Sequence, residues 1–192
     1  KRTALTEYRT QGRGGIGSKG VSTKEDDWTE YLFTASTHNY LLIFTDKGKL
    51  FWLKTYAIPE GSKTAKGRPI QNLINITQDD KIRSIIQVES LDDQDYINNH
   101  FLVMVTKQGV IKKTTLEQYS RPRTNGIIAL NFREDDQLVH VAKTNGDQHI
   151  VIAAKSGRAI HFHESAVRPM GRTATGVKAI TLTDKSDFVI GM

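Results

Sequence analysis

The feature that most constrains the fold is a pattern that occurs three times: an apolar run, a polar turn with glycine, and a second strand-like run. The first runs are residues 41–44, 101–105 and 150–153, and the turn glycines are Gly48, Gly109 and Gly157. A short apolar run that ends in such a turn is typical of a strand entering a hairpin, because the turn usually needs a residue at positive φ. The pattern therefore predicts three β-hairpins.

Each hairpin is followed by the same further features. After the second strands, at 49–53, 110–114 and 158–162, come a basic connection and another glycine. These glycines, Gly67, Gly126 and Gly176, lie 19, 17 and 19 residues after the turn glycines. An acidic turn and a further strand close each unit, at 79–88, 135–141 and 184–190. Repeats of roughly 50 residues with about four strands each are typical of propeller-like blades.

We therefore predict an all-β, propeller-like array of four-stranded blades that occupies residues 1–192 as one domain. The blades are expected at 31–89, 96–142 and 148–192, after a partial blade at 1–30, because residues 1–5 repeat the pattern of 112–116. The acidic, polar tract at 90–100 is expected to be a loop. The core is expected to include Trp28, Trp52, Phe51, Phe132 and Phe162; a base-stacking role for these rings is the weaker alternative.

Charge follows the same repeat. Segments 1–20, 47–68, 107–126 and 155–178 hold 21 of the 27 Lys and Arg but only 4 of the 21 Asp and Glu. If the repeats are spatially equivalent, the basic segments form a stripe along one edge, which suits the phosphate backbone of duplex DNA. The alternative is that basic hairpins and acidic loops only keep a β protein soluble, but a solubilising pattern would more naturally mix the signs.

Composition excludes several classes of function. The chain has no cysteine, so disulfides, thiolate zinc sites and a cysteine nucleophile are excluded. No apolar run approaches the roughly 18 residues of a membrane span, and the first residues have no apolar stretch of signal-peptide length. We therefore expect a cytoplasmic protein without a membrane partner. The net charge of +6 is by itself a weak indication of a polyanionic partner.

The glycine-rich segment at 11–17 is the most unusual stretch. Gly12, Gly14 and Gly17 have the G-x-G-x-x-G spacing of a dinucleotide site, but residues 18–23 lack the helical periodicity which that site requires. The better interpretation is a chain that approaches an anion closely, with Arg13 and Lys19 beside exposed backbone N–H groups. The alternative is a flexible surface loop that binds nothing.

No catalytic or metal-binding group emerges from the sequence. His161 and His163 share a strand face, but no Asp, Glu or Cys lies at convincing ligand spacing, so a partly exposed pair is expected. Carboxylates cluster in turns such as 25–27 and 134–136, where we interpret them as solvated loops. We assign no catalytic residue and no metal ligand.

Several motifs together resemble the C-terminal domain of DNA gyrase A, and the resemblance covers essentially the whole chain. Residues 11–17 resemble the family's glutamine-arginine-arginine-glycine-glycine-lysine-glycine box. Residues 35–38, 61–70, 167–172 and 176–177 resemble further segments of that domain's blades. The box residues carried over are Gln11, Arg13, Gly14, Gly15 and Gly17. Gly12 stands where the family has Arg, and Ile16 where it has Lys.

The resemblance implies a β-pinwheel of about four blades, an open arc in this fragment, that wraps double-stranded DNA around a basic rim. In this bacterial topoisomerase, wrapping would let ATP-dependent strand passage introduce negative supercoils. The remainder of the gyrase A protein and the gyrase B protein would be partners. ATP and magnesium would be used by other domains, and no cofactor is expected in this fragment.

The predicted DNA-binding residues combine the box with the basic segments of each repeat. They are Gln11, Arg13, Gly14, Gly15, Gly17, Lys19, Lys1, Arg2, Lys54, Lys63, Lys66, Arg68, Lys112, Lys113, Arg121, Arg123, Arg158, Arg168, Arg172 and Lys178.

Two alternatives stay open at this point. The first is the equivalent C-terminal domain of topoisomerase IV, whose arrays have fewer blades and lack an intact box. The second is a propeller-like interaction module whose basic edge binds an acidic protein and has no affinity for DNA.

Overall fold

The computed structural model describes residues 1–23 and 27–192, so most of the predicted acidic turn at 25–27 lies outside the described residues. The described chain is built almost entirely of antiparallel strands. They are β1 (Tyr40–Thr45), β2 (Lys49–Lys54), β3 (Ile82–Val88), β4 (Phe101–Thr106), β5 (Val110–Thr115), β6 (Ile127–Ile128), β7 (Leu138–Thr144), β8 (His149–Ala154), β9 (Ala159–His163), β10 (Val177–Lys178) and β11 (Val189–Gly191).

The three predicted hairpins are β1–β2, β4–β5 and β8–β9. Each turns at the predicted glycine: Gly48, Gly109 and Gly157 have φ of 72°, 80° and 83°, a region that side-chain-bearing residues rarely adopt. The predicted third strands are β3, β7 and β11, each paired with the first strand of its hairpin. The all-β, propeller-like fold class is confirmed.

The sheets exchange strands between neighbouring repeats. The first sheet has the order β3-β1-β2-β6, and the second has β7-β4-β5-β10, yet β6 follows β5 in the chain and β10 follows β9. Each predicted span, 31–89, 96–142 and 148–192, supplies the hairpin and third strand of one sheet. The fourth strand of the first two sheets comes from the span that follows. It covers an edge that would otherwise expose unpaired backbone groups.

The apolar core lies between successive sheets. Leu42 and Phe44 of β1 face Leu102 and Met104 of β4 in one cluster, and Val103 and the following sheet build a second cluster. Leu41 and Ile43, on the other face of β1, belong to a third cluster with Ile74 and Ile76. Both faces of β1 and β4 are therefore covered, which explains why these strands have continuous apolar sequences rather than alternating ones. The successive sheets form no closed barrel among the described residues, as an open arc requires.

Two local predictions were wrong. Trp28 is 74% exposed, because residues 27–39 form no strand in the described chain and no sheet covers the ring. The expected loop at 90–100 contains the helix α1 (Gln94–Asn99), whose first turn is capped when the Asp93 side chain accepts a hydrogen bond from the Tyr96 N–H. Burial of Ile97 ties this helix to the core between the first two sheets. No helix in the described part of the chain has the length and apolar character needed to cross a bilayer.

The acidic turns bind the hairpins rather than standing free in solvent. The Asp187 carboxylate accepts hydrogen bonds from the Ser156 N–H at 3.0 Å, the Ser156 hydroxyl at 2.8 Å and the Thr183 N–H at 3.0 Å. In the second repeat, the Asp136 carboxylate accepts a hydrogen bond from the N–H of Gln108, in the hairpin turn of the same repeat, at 2.9 Å. The interpretation of 134–136 as a solvated loop is therefore wrong for Asp136, which joins the third strand to the hairpin turn.

We expect Asp187→Asn to lower Tm by roughly 5 °C, because the amide presents a donor where the turn needs an acceptor. Hydrogen bonds from Thr183 and Ser156 lower the pKa of Asp187 to about 2, although burial opposes them. The carboxylate therefore stabilises the fold above its unfolded pKa of about 3.9, and this stability is lost as pH falls through about 2.

Thermal melts of wild type and Asp187→Asn between pH 2 and pH 6 measure both effects. Asp92→Asn is the matched control, since the Asp92 side chain is exposed and accepts no hydrogen bond from the described residues. Equal acid sensitivity of wild type and Asp187→Asn would contradict the assignment.

Candidate nucleic-acid interface

Four basic loops occur at equivalent places in successive repeats. Each follows a single 3-10 turn, and these turns are Leu5–Glu7, Thr55–Ala57, Leu116–Tyr119 and Glu164–Ala166. We call residues 9–19, 58–68, 120–126 and 167–178 basic loops 1 to 4. In three of the four repeats, the 3-10 turn directly follows the second hairpin strand. Each of these three loops therefore starts at the same position of its blade.

Basic loops 1 and 2 meet at the first residues of the chain. The Lys1 ammonium donates to the Gly20 carbonyl oxygen at 3.4 Å and to the Ser62 carbonyl oxygen at 2.7 Å. The Gly61 N–H donates to the Arg2 carbonyl oxygen at 2.9 Å. Loop 2 therefore lies directly beside loop 1.

The later loops are also neighbours. The Asn75 side-chain amide, in the segment that connects loop 2 to β3, donates to Asn125 Oδ1 of loop 3 at 3.1 Å. Arg172 Nη1 of loop 4 donates to the Ile128 carbonyl oxygen at 2.6 Å, and Asn131 Nδ2 donates to the Thr173 carbonyl oxygen at 2.8 Å. These contacts place all four loops in one continuous series.

The glycine-rich box in basic loop 1 is closed by its own glutamine. Gln11 Oε1 accepts a hydrogen bond from the Gly17 N–H at 2.7 Å. Gly14 and Gly17 have φ of 87° and 80°, and a Cβ on Gly15 would lie 2.6 Å from Gln11 Oε1. The glycines thus permit a tight loop that larger residues at these three positions would strain or open.

Nine of the predicted DNA-binding side chains are exposed cations that make no hydrogen bond or ion pair within the described residues. They are Arg13, Lys19, Lys66, Arg68, Arg121, Arg123, Arg158, Arg168 and Lys178. Every basic loop contributes at least two of them, and Arg158 lies next to β9. Arg9 of loop 1 is also exposed, and sequence reasoning missed it although it falls within a counted basic segment.

Five further predicted residues already have partners. Lys1 and Arg172 bond to backbone carbonyls as described, and Arg2 pairs with Glu60 at 3.2 Å. Lys54 lies over the Tyr40 ring at 3.5 Å, and Lys63 lies 4.8 Å from the Tyr8 ring. These cations add positive charge within or beside the loops, but their side chains are partly held.

The prediction that Lys112 and Lys113 contact DNA is wrong, because their side chains are buried inside the array. Lys112 is 1% exposed, and its ammonium donates to the Ala129 carbonyl oxygen at 2.8 Å and to the Arg172 carbonyl oxygen. Lys113 is 4% exposed and pairs with Glu164 Oε2 at 2.7 Å. Neither ammonium group can reach a phosphate.

The buried ion pair joins the second sheet to the turn from which basic loop 4 starts. Besides Lys113, the Glu164 carboxylate accepts from the Thr144 hydroxyl at 2.8 Å and from the Gly146 and Gln148 N–H groups, both at 3.0 Å. Burial alone would raise the pKa of Glu164, but these donors hold it below its ordinary value. Burial beside Arg172 lowers the pKa of Lys112 to about 8.

Histidines gather on the third sheet. The ring of His149 lies 4.8 Å from that of His161 and 5.2 Å from that of His163, measured between centroids. His163 Nε2 is 3.1 Å from Asp147 Oδ1. Across residues 1–23 and 27–192, no group of three or more metal-ligating side chains has a geometry that could hold an ion.

The chain matches the family described as DNA gyrase C-terminal domain, beta-propeller, over residues 1–36, 39–89, 100–145 and 148–192. It is 45% identical over its whole length to the DNA gyrase A protein of Staphylococcus aureus (strain NCTC 8325 / PS 47). It is 47% identical over 94% of its length to the DNA gyrase A protein of Halalkalibacterium halodurans. The chain spans about a fifth, 21%, of the length of either relative.

Solved structures agree on the fold. The C-terminal domain of DNA topoisomerase IV matches 80% of the chain and 46% of its own, with a TM-score of 0.71 and 30% identity. A DNA gyrase A C-terminal domain matches 97% of the chain and 58% of its own, with a TM-score of 0.66 and 22% identity.

We expect Gly15→Ala to open the box loop, because the added Cβ would displace the Gln11 side chain from the Gly17 N–H. Amide hydrogen exchange at Gly17 should become roughly tenfold faster in Gly15→Ala, as local protection is lost. Gly12→Ala is the matched control, since a Cβ at Gly12 meets nothing within 4 Å. Unchanged Gly17 protection in Gly15→Ala would contradict the closed loop.

Proposed function

Since this chain belongs to the DNA gyrase C-terminal domain, beta-propeller family, we propose that it binds duplex DNA along basic loops 1 to 4 and wraps it around them. In the intact bacterial enzyme, this wrapping presents a DNA crossing of chosen handedness to the rest of the gyrase A protein and to the gyrase B protein. ATP-dependent strand passage there introduces negative supercoils. This chain binds and bends the duplex DNA, and other domains supply the chemistry that uses nucleotide and magnesium.

The observation that carries the proposal is the continuous series of four loops with exposed Arg and Lys side chains. Regular cations in a row neutralise successive phosphates and release counterions, which supplies most of the affinity of sequence-independent binding. Glu60 is the one acidic residue within basic loops 1 to 4, and it pairs with Arg2. Asp80, Asp136 and Asp187 are instead engaged with the hairpin turns.

Bending DNA requires many such contacts. Elastic estimates put the cost of a 40–90° bend over 20–30 bp at roughly 1–6 kcal/mol. If about ten cations reach phosphates, log K falls with log salt at a slope near −9, so binding that must offset this cost strengthens steeply as salt is lowered.

A second candidate within the same superfamily is the strand-guiding C-terminal domain of topoisomerase IV. Its support is the topoisomerase IV structure, with 30% identity and a TM-score of 0.71. The length-wide 45% identity to a gyrase A protein and the retained box residues favour gyrase. The interaction module has no comparable observation behind it.

We expect Arg121→Ala combined with Arg123→Ala to flatten the salt dependence of binding, because two phosphate contacts are lost. The slope of log K against log salt should become less negative by about 1.8, at about 0.9 per contact. Fluorescence anisotropy with a 40-bp duplex at several salt concentrations measures the slope. Lys81→Ala is the control, since Lys81 is exposed but lies in an acidic turn outside the basic loops. An equal change of the salt slope in both variants would argue for diffuse electrostatic attraction rather than contacts by the loops.

Wrapping is tested by sealing a nicked plasmid with ligase over a titration of the protein, removing the protein, and measuring the change in linking number. A shift that grows with protein establishes chiral wrapping and gives its sign. Salt-sensitive binding without a shift would contradict wrapping, and loss of both would overturn DNA binding and leave the interaction module.

We expect Gly12→Arg combined with Ile16→Lys, which restores the family's box, to enlarge the linking-number shift. The structure has room for both side chains: a Cβ at Gly12 meets nothing within 4 Å, and Ile16 is fully exposed. Two added contacts should also steepen the salt slope by about 1.8. An unchanged shift and slope would mean that the box lies away from the DNA path.

A further inference from the structure

Lys112 has a position that a DNA contact does not explain. Its ammonium group is buried between two backbone carbonyls, those of Ala129 and Arg172. Ala129 comes directly after β6, three residues beyond the end of basic loop 3, and Arg172 lies in the middle of basic loop 4. One buried charge therefore joins the chain just after basic loop 3 to the backbone of basic loop 4.

The same bonds occur two repeats earlier, where the Lys1 ammonium donates to the Gly20 and Lys63 carbonyl oxygens. Position in the repeat can be counted from the positive-φ glycines Gly17, Gly67, Gly126 and Gly176. Gly20 and Ala129 both lie three residues after such a glycine, and Lys63 and Arg172 both lie four residues before the next repeat's glycine. The two lysines thus bond to equivalent carbonyls, so the contact recurs at two junctions between repeats.

The junction between these two is closed in a different way. Phe51 of β2 occupies the position that Lys112 has in β5, three residues after the hairpin glycine. Phe51 is 1% exposed, and a Cβ on Gly126 would lie 2.8 Å from its ring. An apolar ring packs there against loop 3, whereas the lysine junctions hold two loops by directed hydrogen bonds.

A buried ammonium group destabilises a fold unless its donors are satisfied, and Phe51 shows that an apolar side chain can fill the equivalent position. At the Lys112 junction the ammonium group adds directed hydrogen bonds, because it holds two carbonyl oxygens at hydrogen-bond distance at once. The fixed carbonyls belong to the segments that carry Arg123, Arg168 and Lys178.

We propose that Lys112 is a positioning residue of the DNA-binding rim, which fixes the spacing between basic loops 3 and 4 and so sets the curve that bound DNA follows. This inference rests on the proposed function. Lys112 touches no DNA. It keeps the phosphate-binding side chains of two blades at one separation, as a bend of defined angle requires.

The spacing is measured in the free protein by spin labels on Thr124→Cys and Thr175→Cys, both exposed and in loops 3 and 4, since the chain has no cysteine of its own. Pulsed electron–electron double resonance should give a narrow distribution of label-to-label distances in the otherwise wild-type protein. Lys112→Met, which keeps the length of the side chain but removes its donors, should broaden or shift the distribution. Far-UV circular dichroism verifies that the variant is folded.

The same variants without labels are then assayed on plasmid. Lys112→Met should lower the linking-number shift per bound protein by roughly twofold or more, because the bend is less well defined. Lys178→Met is the matched control. It removes an exposed lysine of loop 4, so it should reduce the salt slope by about 0.9 and leave the inter-loop distance unchanged. Lys112→Arg, which keeps charged donors, should retain most of the shift.

An unchanged distance distribution in folded Lys112→Met would overturn the inference, and so would a normal linking-number shift despite a changed distance. If Lys112→Met does not fold, the Lys112→Arg protein is tested instead. Loss of its linking-number shift would contradict the role of the hydrogen-bond donors at position 112. If wild type fails to bind DNA while the distance still depends on Lys112, the proposed function is what fails.

Discussion

The structure depends on a close backbone approach between successive repeats. A Cβ on Gly126 would lie 2.8 Å from the Leu50 carbonyl oxygen, and a Cβ on Gly176 would lie 2.4 Å from that of Ile111. Only glycine at positive φ allows the chain to pass so near the second hairpin strand of the preceding sheet. β6 and β10 begin directly after these glycines, complete the neighbouring sheets, and turn a string of hairpins into one connected array.

This strand exchange also decides where the charges lie. Basic loops 3 and 4 end at or just after the glycines that pack against the preceding sheet, so these loops are held at the junctions between blades. Three acidic residues have structural roles: Asp136 and Asp187 bind hairpin turns, and Glu164 accepts four hydrogen bonds or ion pairs. The exposed cations of the basic loops are left available for a polyanion.

Much of the fold could be predicted because glycine spacing and apolar runs are local signals. The three hairpins, their turn glycines and the third strands agree with the expected positions. The prediction was wrong for Trp28, since whether an aromatic residue is covered depends on a sheet that the local sequence does not describe. The loop expected at 90–100 became α1 because Asp93 caps it and Ile97 finds a place in the core, a contact made across the chain.

The sequence by itself determined the repeat, the all-β class and the concentration of cations in equivalent segments, because periodicity and composition are properties of the chain. It did not distinguish Lys112 from Lys66, since both are lysines in a basic segment. Only the tertiary structure decided that Lys112 is buried between two carbonyls while Lys66 is exposed. The physical reason is that strand exchange brings residues some sixty positions apart, such as Lys112 and Arg172, into contact, and burial follows from those distant partners.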